Sequence, residues 1–219
     1  MARPVLTSYT FLVSADYTTI DFADIPGSVA YDILVATIHP RPIAFVSSIS
    51  AAGHLNLAPF SFFMIGGSNP PSLVFSPTMS AHGPKDTLRN IKETGEFVVN
   101  LVHREMAHLM NQTAKGYPAD VSEWDEVGFT TAPSLKVKPP RVAESLVHFE
   151  CRLFQVISHG EGQGSARYVI GEVLAAHLGE GLWDGSMVVD EKVRPIARMG
   201  GPNYLDTDSL EFFQMTRPK

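Results

Sequence analysis

The stretch that decides the fold runs from residue 40 to residue 63 and reads PRPIAFVSSISAAGHLNLAPFSFF. It combines four phenylalanines with four serines and one arginine, Arg41. In IAFVSSIS a period of two places Ser47 on one face of a strand and Ser48 on the other. One of these hydroxyls needs a partner or a ligand, because a buried unpaired hydroxyl costs about 1–3 kcal/mol. AAGH predicts a turn, so the stretch taken alone is explained by a serine-rich hairpin.

The composition predicts a folded protein and argues against several classes of function. The chain has 219 residues, of which 44% are hydrophobic and 18% charged, enough for a packed core. Its net charge of −6 argues against a general nucleic-acid binder, which needs a basic surface. The single cysteine, Cys151, cannot form a disulfide within the chain and is expected to be a buried apolar residue. We see no signal peptide or apolar run of membrane length, and expect a cytoplasmic protein without a membrane partner.

Short runs rich in Val, Ile and Phe predict strands at residues 43–50, 72–75, 96–102, 147–158 and 166–178. Alternation in the fourth strand predicts one core-facing row, made of Phe149, Cys151, Leu153, Gln155 and Ile157. Residues 160–165, GEGQGS, predict a hairpin turn, since they do not match a nucleotide-binding glycine motif.

Two helices are predicted, at residues 86–94 and 104–113. The Pro-rich stretch 115–141 is expected to be irregular and to wrap the outside of the domain. These patterns predict one domain that is mainly β, with a few helices.

Two further stretches could hold an anion. In GPKDTLRN, Lys85 and Thr87 lie at a helix start, where free N–H groups and the helix dipole attract negative charge. The alternative is that Asp86 or Thr87 caps the helix and Lys85 is solvated. In IARMGGPNYL, Arg198 precedes two glycines and could make charge-assisted bonds, or lie in an ordinary surface turn.

No catalytic side chain and no metal site can be assigned. The histidines lack zinc-ligand spacing, and the sequence has no nucleophile elbow and no paired carboxylates in an apolar setting. Any chemistry is therefore expected to come from a bound cofactor.

Five motifs occur together in order: PRPIAFVSS, NLAPFSFF, PPSLVFSP, KDTLRNIKETGEFVVNLV and IARMGGPNYL. In this combination the chain resembles the flavin reductase-like family of FMN-binding proteins, from about residue 32 to residue 218. The resemblance implies an FMN-binding split barrel, an antiparallel Greek-key barrel with a few peripheral α-helices, that forms a homodimer. It places this single domain at residues 31–219 and leaves the role of an N-terminal extension, residues 1–30, open.

The resemblance also implies a cofactor site. Carried over residue by residue, the expected FMN-binding set is Arg41, Pro42, Ser47, Ser48, Asn56, Leu57, Ala58, Ser61, Lys85, Asp86, Thr87 and Arg198. Lys85, Asp86 and Thr87 would hold the phosphate region, and Tyr204 is a weaker carry-over.

The function implied by the resemblance is an FMN-binding oxidoreductase, an NAD(P)H-dependent flavin reductase with NAD(P)H as a transient co-substrate. Its partner would be a monooxygenase or another electron acceptor. One alternative is an FMN-binding electron carrier, flavoredoxin-like, that does not turn over NAD(P)H. Another is a barrel that has lost flavin and serves a structural role.

Overall fold

The computed structural model describes residues 16–118 and 121–218. Most of residues 1–30 is irregular or outside the described residues, and the first helix, α1, spans Gly27–Thr37. None of the helices in the described part of the chain has the length and apolar character needed to cross a bilayer.

The main sheet has seven antiparallel strands, and the predicted strands form most of it. In chain order its members are β2 (Ala44–Ile49), β3 (Leu55–Phe60), β4 (Phe63–Ser68), β5 (Pro71–Phe75), β6 (Glu96–Asn100), β9 (Val147–His159) and β10 (Ala166–Leu178). Their spatial order is β3-β2-β6-β9-β10-β5-β4, so the hairpins β2–β3 and β4–β5 lie at opposite edges. The predicted turn at residues 160–165 joins β9 to β10, where His159 pairs with Ala166.

Two smaller sheets complete the strands. A four-stranded sheet is built, in spatial order, from β1 (Arg41–Pro42), β11 (Ile196–Arg198), β12 (Asn203–Asp206) and β13 (Phe212–Gln214). The two-residue strands β7 (Thr131–Ala132) and β8 (Arg141–Val142) pair with each other. Because β1 immediately precedes β2, the opening stretch links the four-stranded sheet to the main one.

The second helix, α2, spans Asp86–Thr94 as predicted, and Gly95 ends it in the left-handed conformation, at φ 74°. The helix predicted at residues 104–113 begins with a 3₁₀ turn, Arg104–Met106, and continues as α3, Ala107–Gln112. A fourth helix, α4, spans Glu123–Val127. A second 3₁₀ turn covers Asp190–Lys192.

The core has two parts, and β2 separates them. Ile43 and Phe45 belong to one cluster, and Ala44 and Val46 to the other. The predicted alternation of β2 is therefore correct, but both faces are buried, since helices and the smaller sheet cover the face that a hairpin alone would expose. Ser47 and Ser48 are consequently both fully buried.

Two predictions from the sequence are wrong. Within β9, Leu153 and Val156 pack against the core, whereas Gln155 and Ile157 are exposed. The pairing register with β10 shifts between Leu153 and Gln155, and this bulge at Phe154 changes which residues face inward.

The stretch 115–141 does not simply wrap the outside. Trp124 and Phe129 are 3% and 6% exposed and belong to the same core cluster as Ile43 and Phe45. The helix α4 therefore contributes to the core rather than covering it.

Candidate functional site

A buried hydrogen-bond network gathers five polar residues, four of them on elements of the predicted site. Asn56 on β3 lies at its centre: its Oδ1 accepts a bond of 2.7 Å from Thr87 Oγ1 on α2 and lies 3.3 Å from Ser48 Oγ on β2. Asn90 Nδ2, also on α2, donates to Ser48 Oγ at 3.2 Å. The fifth member is Glu123 of α4, whose carboxylate accepts bonds from Asn56 Nδ2 at 2.8 Å and from the Leu57 amide at 3.0 Å.

This network has a structural consequence for the first turn of α2. It fixes Thr87, and with it the neighbouring Lys85 at the N-cap position, relative to β3 and α4. Ser48, Asn56 and Thr87 thus bond to protein groups and do not line the cavity described below. Burial raises the pKa of the Glu123 carboxyl, and the hydrogen bonds from Leu57 and Asn56 oppose that rise.

The Arg41 guanidinium also forms hydrogen bonds to protein groups. Its Nη1 donates to the carbonyls of Val35 at 2.8 Å and Ile38 at 2.6 Å, and its Nη2 donates to that of Met199 at 3.0 Å. The guanidinium thus ties the end of α1 to the segment after β11. Burial, and then the charge of Arg198, lower its pKa.

The other residues of the predicted set occupy different environments. Pro42 is exposed in β1, Leu57 is in the core, and Ala58 is half-buried. Ser47 Oγ is buried without a hydrogen-bond partner among the described residues. Asp86 forms an ion pair with Arg89 on the outside of α2.

An open cavity of about 800 Å³, including its solvent-filled mouth, brings the remaining three predicted residues together: Ser61, Lys85 and Arg198. Its apolar and aromatic walls are formed by Tyr31, Ile43, Pro59, Phe60, Phe62, Met110 and Tyr204. Further hydroxyl and amide groups come from Ser76, Thr78 and Asn111, and a third cation from Arg217.

The charge of this cavity is opposite to that of the whole protein. Among the described residues, Lys85, Arg198 and Arg217 line it and no carboxylate does, although the chain carries a net charge of −6. Burial, and then the neighbouring charge of Arg217, lower the pKa of Lys85 to about 8. Its Nζ lies 5.0 Å from the centre of the Phe60 ring. Because the cations are clustered without an acidic counterpart in the lining, the cavity is suited to an anionic ligand.

Arg198 is held at the cavity wall by two contacts. Its Nη2 donates to the Gly201 carbonyl at 2.6 Å, and its guanidinium lies 4.5 Å from the centre of the Tyr204 ring. Burial raises the pKa of the Tyr204 phenol, and Arg198 opposes that rise. Tyr204, which the resemblance assigned to the site only weakly, therefore lines the cavity, and the Arg198 guanidinium stacks on its ring.

Sequence reasoning missed Glu123, Arg217 and the aromatic residue Tyr31 of α1. Tyr31 lies in α1, a helix that was not predicted from the sequence, and Arg217 lies in a short tail without periodicity. The only available signal for Glu123 was its position after Ser122 at a short helix start, which does not distinguish a buried carboxylate from an exposed one.

The residues that line the cavity have the chemical character that a phosphorylated flavin requires. Aromatic and aliphatic walls suit a flat ring system, hydroxyl and amide groups suit a polyol chain, and the cations suit a phosphate. Cys151, by contrast, is fully buried away from the cavity, and burial raises the pKa of its thiol, which does not suit a nucleophile.

An antiparallel β fold with an aromatic, cation-lined cavity is suited to an anionic ligand that carries a ring system. The flavin reductase like domain matches residues 36–196, so the chain belongs to this family of flavin-binding oxidoreductases. Nitrilotriacetate monooxygenase component B from Bacillus cereus is similar, with a TM-score of 0.84 and 33% identity over 92% of this chain and 100% of that one.

Two other solved structures agree on the fold. The 2-nitrobenzoate 2-nitroreductase NbaA from Pseudomonas fluorescens has a TM-score of 0.79 and 32% identity, over 92% of this chain and 96% of that one. A Shewanella frigidimarina protein described as a flavin reductase with split barrel domain has a TM-score of 0.74 and 19% identity, over 89% and 96% of the chains. The fold is therefore the split barrel that the resemblance implied.

Proposed function

We propose that the protein is an NAD(P)H-dependent flavin reductase that uses FMN. The observation that carries this proposal is the cavity, in a chain of the flavin reductase-like family. Its lining, as far as the chain is described, combines three cations with aromatic walls and contains no carboxylate. Bound FMN would supply the acceptor for a hydride from NAD(P)H, which needs no acid or base from a side chain.

The roles of the chain's own residues follow from their positions. Lys85 would hold the phosphate, with Ser61, Ser76 and Thr78 available to the polyol chain. Phe60 and Tyr204 belong to the walls against which a ring can pack. The buried network of Ser48, Asn56 and Thr87 would orient these groups rather than touch the cofactor.

The proposal is tested by the visible spectrum of the protein loaded with FMN, before and after NADH or NADPH, and by steady-state oxidation of each nucleotide. The expected result is bleaching of the bound flavin and nucleotide oxidation that requires added or bound FMN. Bound FMN without any oxidation above background would instead support the electron-carrier alternative. A protein that takes up no FMN would overturn both and leave the structural role.

The relatives of known name support oxidoreduction without selecting an acceptor. One is a monooxygenase component and another is a nitroreductase, each about one-third identical to this chain. We therefore propose that reduced flavin passes electrons to a monooxygenase or another acceptor. Oxidation of NADH or NADPH is a suitable readout, because it does not depend on the identity of this acceptor. We also propose a cytoplasmic location.

The variant Lys85→Ala is expected to weaken FMN binding by about 1–3 kcal/mol, because it removes one charge-assisted contact from the phosphate. Titration of FMN fluorescence quenching measures the effect. Since the pKa of Lys85 is lowered to about 8, the wild-type affinity should fall as pH rises through this value and the lysine loses its charge. The variant should lack this decline.

Lys92→Ala is the matched control, because Lys92 is exposed at the other end of the same helix. It should bind FMN as the wild type does. An unchanged affinity in Lys85→Ala would exclude Lys85 from the phosphate site.

We propose that the protein is a homodimer with the cavity near the subunit contact. The strand β4 is an edge of the main sheet and directly follows Phe62 of the cavity wall, and its Met64 and Ile65 are 60% and 78% exposed.

Light scattering should give twice the chain mass of 23.9 kDa. Ile65→Asp should halve the measured mass, because it places a charge in the buried contact. A monomeric wild type with full FMN occupancy would count against this assembly.

A further inference from the structure

The end of the chain is fixed against α3 by contacts from three consecutive residues. The amide of Met215 donates to the Pro202 carbonyl at 3.0 Å, and the Met215 side chain is buried. Asn111 Nδ2 donates to the Thr216 carbonyl at 2.8 Å. Arg217 donates from Nε and Nη2 to the Ala114 carbonyl, at 3.2 and 3.1 Å. The tail therefore holds Arg217 at the cavity, which Asn111 and Ala114 also line.

The forked contact with Ala114 leaves part of the Arg217 guanidinium for a ligand. A guanidinium has five N–H donors, and the two bonds to the Ala114 carbonyl use two of them. Among the described residues, neither Arg217 nor Lys85 forms a salt bridge with a carboxylate. Their remaining donors are thus available at the cavity.

Lys85 and Arg217 line the same cavity, and the charge of Arg217 contributes, after burial, to the lowered pKa of Lys85. Two neighbouring cations in a partly buried site are unfavourable by themselves, and an anion between them removes the repulsion. A phosphomonoester carries about 1.5 to 2 negative charges at neutral pH, more than a single lysine balances. The planar edge of an arginine also binds two phosphate oxygens at once.

We propose that Arg217 of the C-terminal tail and Lys85 of α2 form one subsite for a phosphomonoester, the terminal phosphate of FMN. This subsite selects phosphorylated flavin over riboflavin. The inference rests on the proposed function, since it assigns a group of the same ligand, but it adds a residue that lies outside the matched family range of 36–196.

Titration of flavin fluorescence with FMN and with riboflavin tests the subsite. Arg217→Gln should raise the Kd for FMN by about 10- to 100-fold, as expected for loss of a charge-assisted bond. The Kd for riboflavin, which has no phosphate, should stay within about twofold. The double variant with Lys85→Gln should be less damaged than the product of the single effects, because both residues bind one group.

Arg89→Gln is the control, because Arg89 is exposed on α2 and does not line the cavity. It should leave both affinities unchanged. Arg217→Lys keeps the charge without the fork and should bind FMN with an affinity between those of the wild type and Arg217→Gln.

The outcomes separate this inference from the proposed function. A wild type that binds neither flavin would overturn both. Equal loss of FMN and riboflavin affinity in Arg217→Gln would reduce the tail to a structural role and overturn the subsite alone. An unchanged FMN Kd with a raised KM for NAD(P)H would also overturn it, because the phosphate would then belong to the nicotinamide nucleotide.

Discussion

Glu123→Ala is expected to lower the free energy of unfolding by about 2–4 kcal/mol and to weaken FMN binding. The substitution removes the acceptor for Asn56 Nδ2 and for the Leu57 amide, both of which are buried. Each unsatisfied buried donor costs about 1–3 kcal/mol, because water cannot replace the lost acceptor without opening the core. In a chain of this size the midpoint of thermal unfolding should fall by roughly 5–15 °C.

The effect on FMN would be indirect. Asn56 accepts a hydrogen bond from Thr87, so an Asn56 that turns away releases the first turn of α2, where Lys85 lies. Glu123 is thus a positioning residue. Glu123→Gln should be intermediate in stability, because its amide keeps one acceptor but points a donor at either Asn56 or Leu57.

Glu126→Ala is the matched control for this prediction, since Glu126 is exposed on the same helix. Urea unfolding gives the free energies, and fluorescence titration gives the affinities. Equal unfolding free energies for Glu123→Ala and Glu126→Ala would show that the network contributes little to stability.

Local signals in the sequence were sufficient for the elements whose ends they mark. The bounds of α2 follow from Pro84 before it and Gly95 after it, and the β9–β10 hairpin follows from a glycine-rich turn between two Val/Ile-rich runs. These features depend on neighbouring residues, so no knowledge of the tertiary structure was needed.

Side-chain partners could not be predicted in the same way. Asn56 contacts Glu123, 67 positions further along the chain, and this contact decides that Asn56 belongs to an internal network rather than to the cavity. Arg41 likewise binds the Met199 carbonyl, 158 positions away. The family motifs bring Ser61, Lys85 and Arg198 to one cavity, but which of their polar side chains remain available to a ligand depends on contacts of this kind.

Each of the two errors in the strand and loop predictions has a local cause. One extra residue at Phe154 reverses the inward-facing row of β9, and a bulge of this type has no signal in an apolar strand without glycine. In the stretch 115–141, the Pro content suggested an irregular segment on the outside, whereas Trp124 on α4 and Phe129 just after it bury their large side chains in the core. Aromatic residues in an irregular stretch therefore indicated burial better than its composition did.

Acid is expected to destabilise the protein by about 2 kcal/mol between pH 7 and pH 5 through His148 alone. This side chain is 5% exposed, and burial, followed by the charges of Arg141 and His177, lowers its pKa from 6.5 to about 4. His148 therefore binds a proton below about pH 6.5 in the unfolded chain, but only below about pH 4 in the folded protein. Stability falls across this window as pH decreases, and His148 contributes no such change above it.

The neighbouring carboxylate acts in the same direction but at lower pH. Glu150 is fully buried and accepts hydrogen bonds from the amides of Leu135 and Lys136 and from His177 Nε2, and these bonds keep its pKa below the usual value despite burial. Its stabilising contribution is present above the unfolded pKa and is lost as pH falls through the lower folded one. The contribution of Glu150 to stability therefore changes little between pH 7 and pH 5.

His148→Gln separates this contribution from the rest. The His148 ring bonds through Nδ1 to Asn100 Oδ1 at 2.8 Å, and a glutamine amide offers a donor to the same acceptor without a titration in this range. Urea unfolding at pH 7 and pH 5 should show a loss smaller by about 2 kcal/mol in the variant than in the wild type. An equal loss in both proteins would mean that His148 is protonated in the folded state at pH 5, and that its burial does not control acid stability.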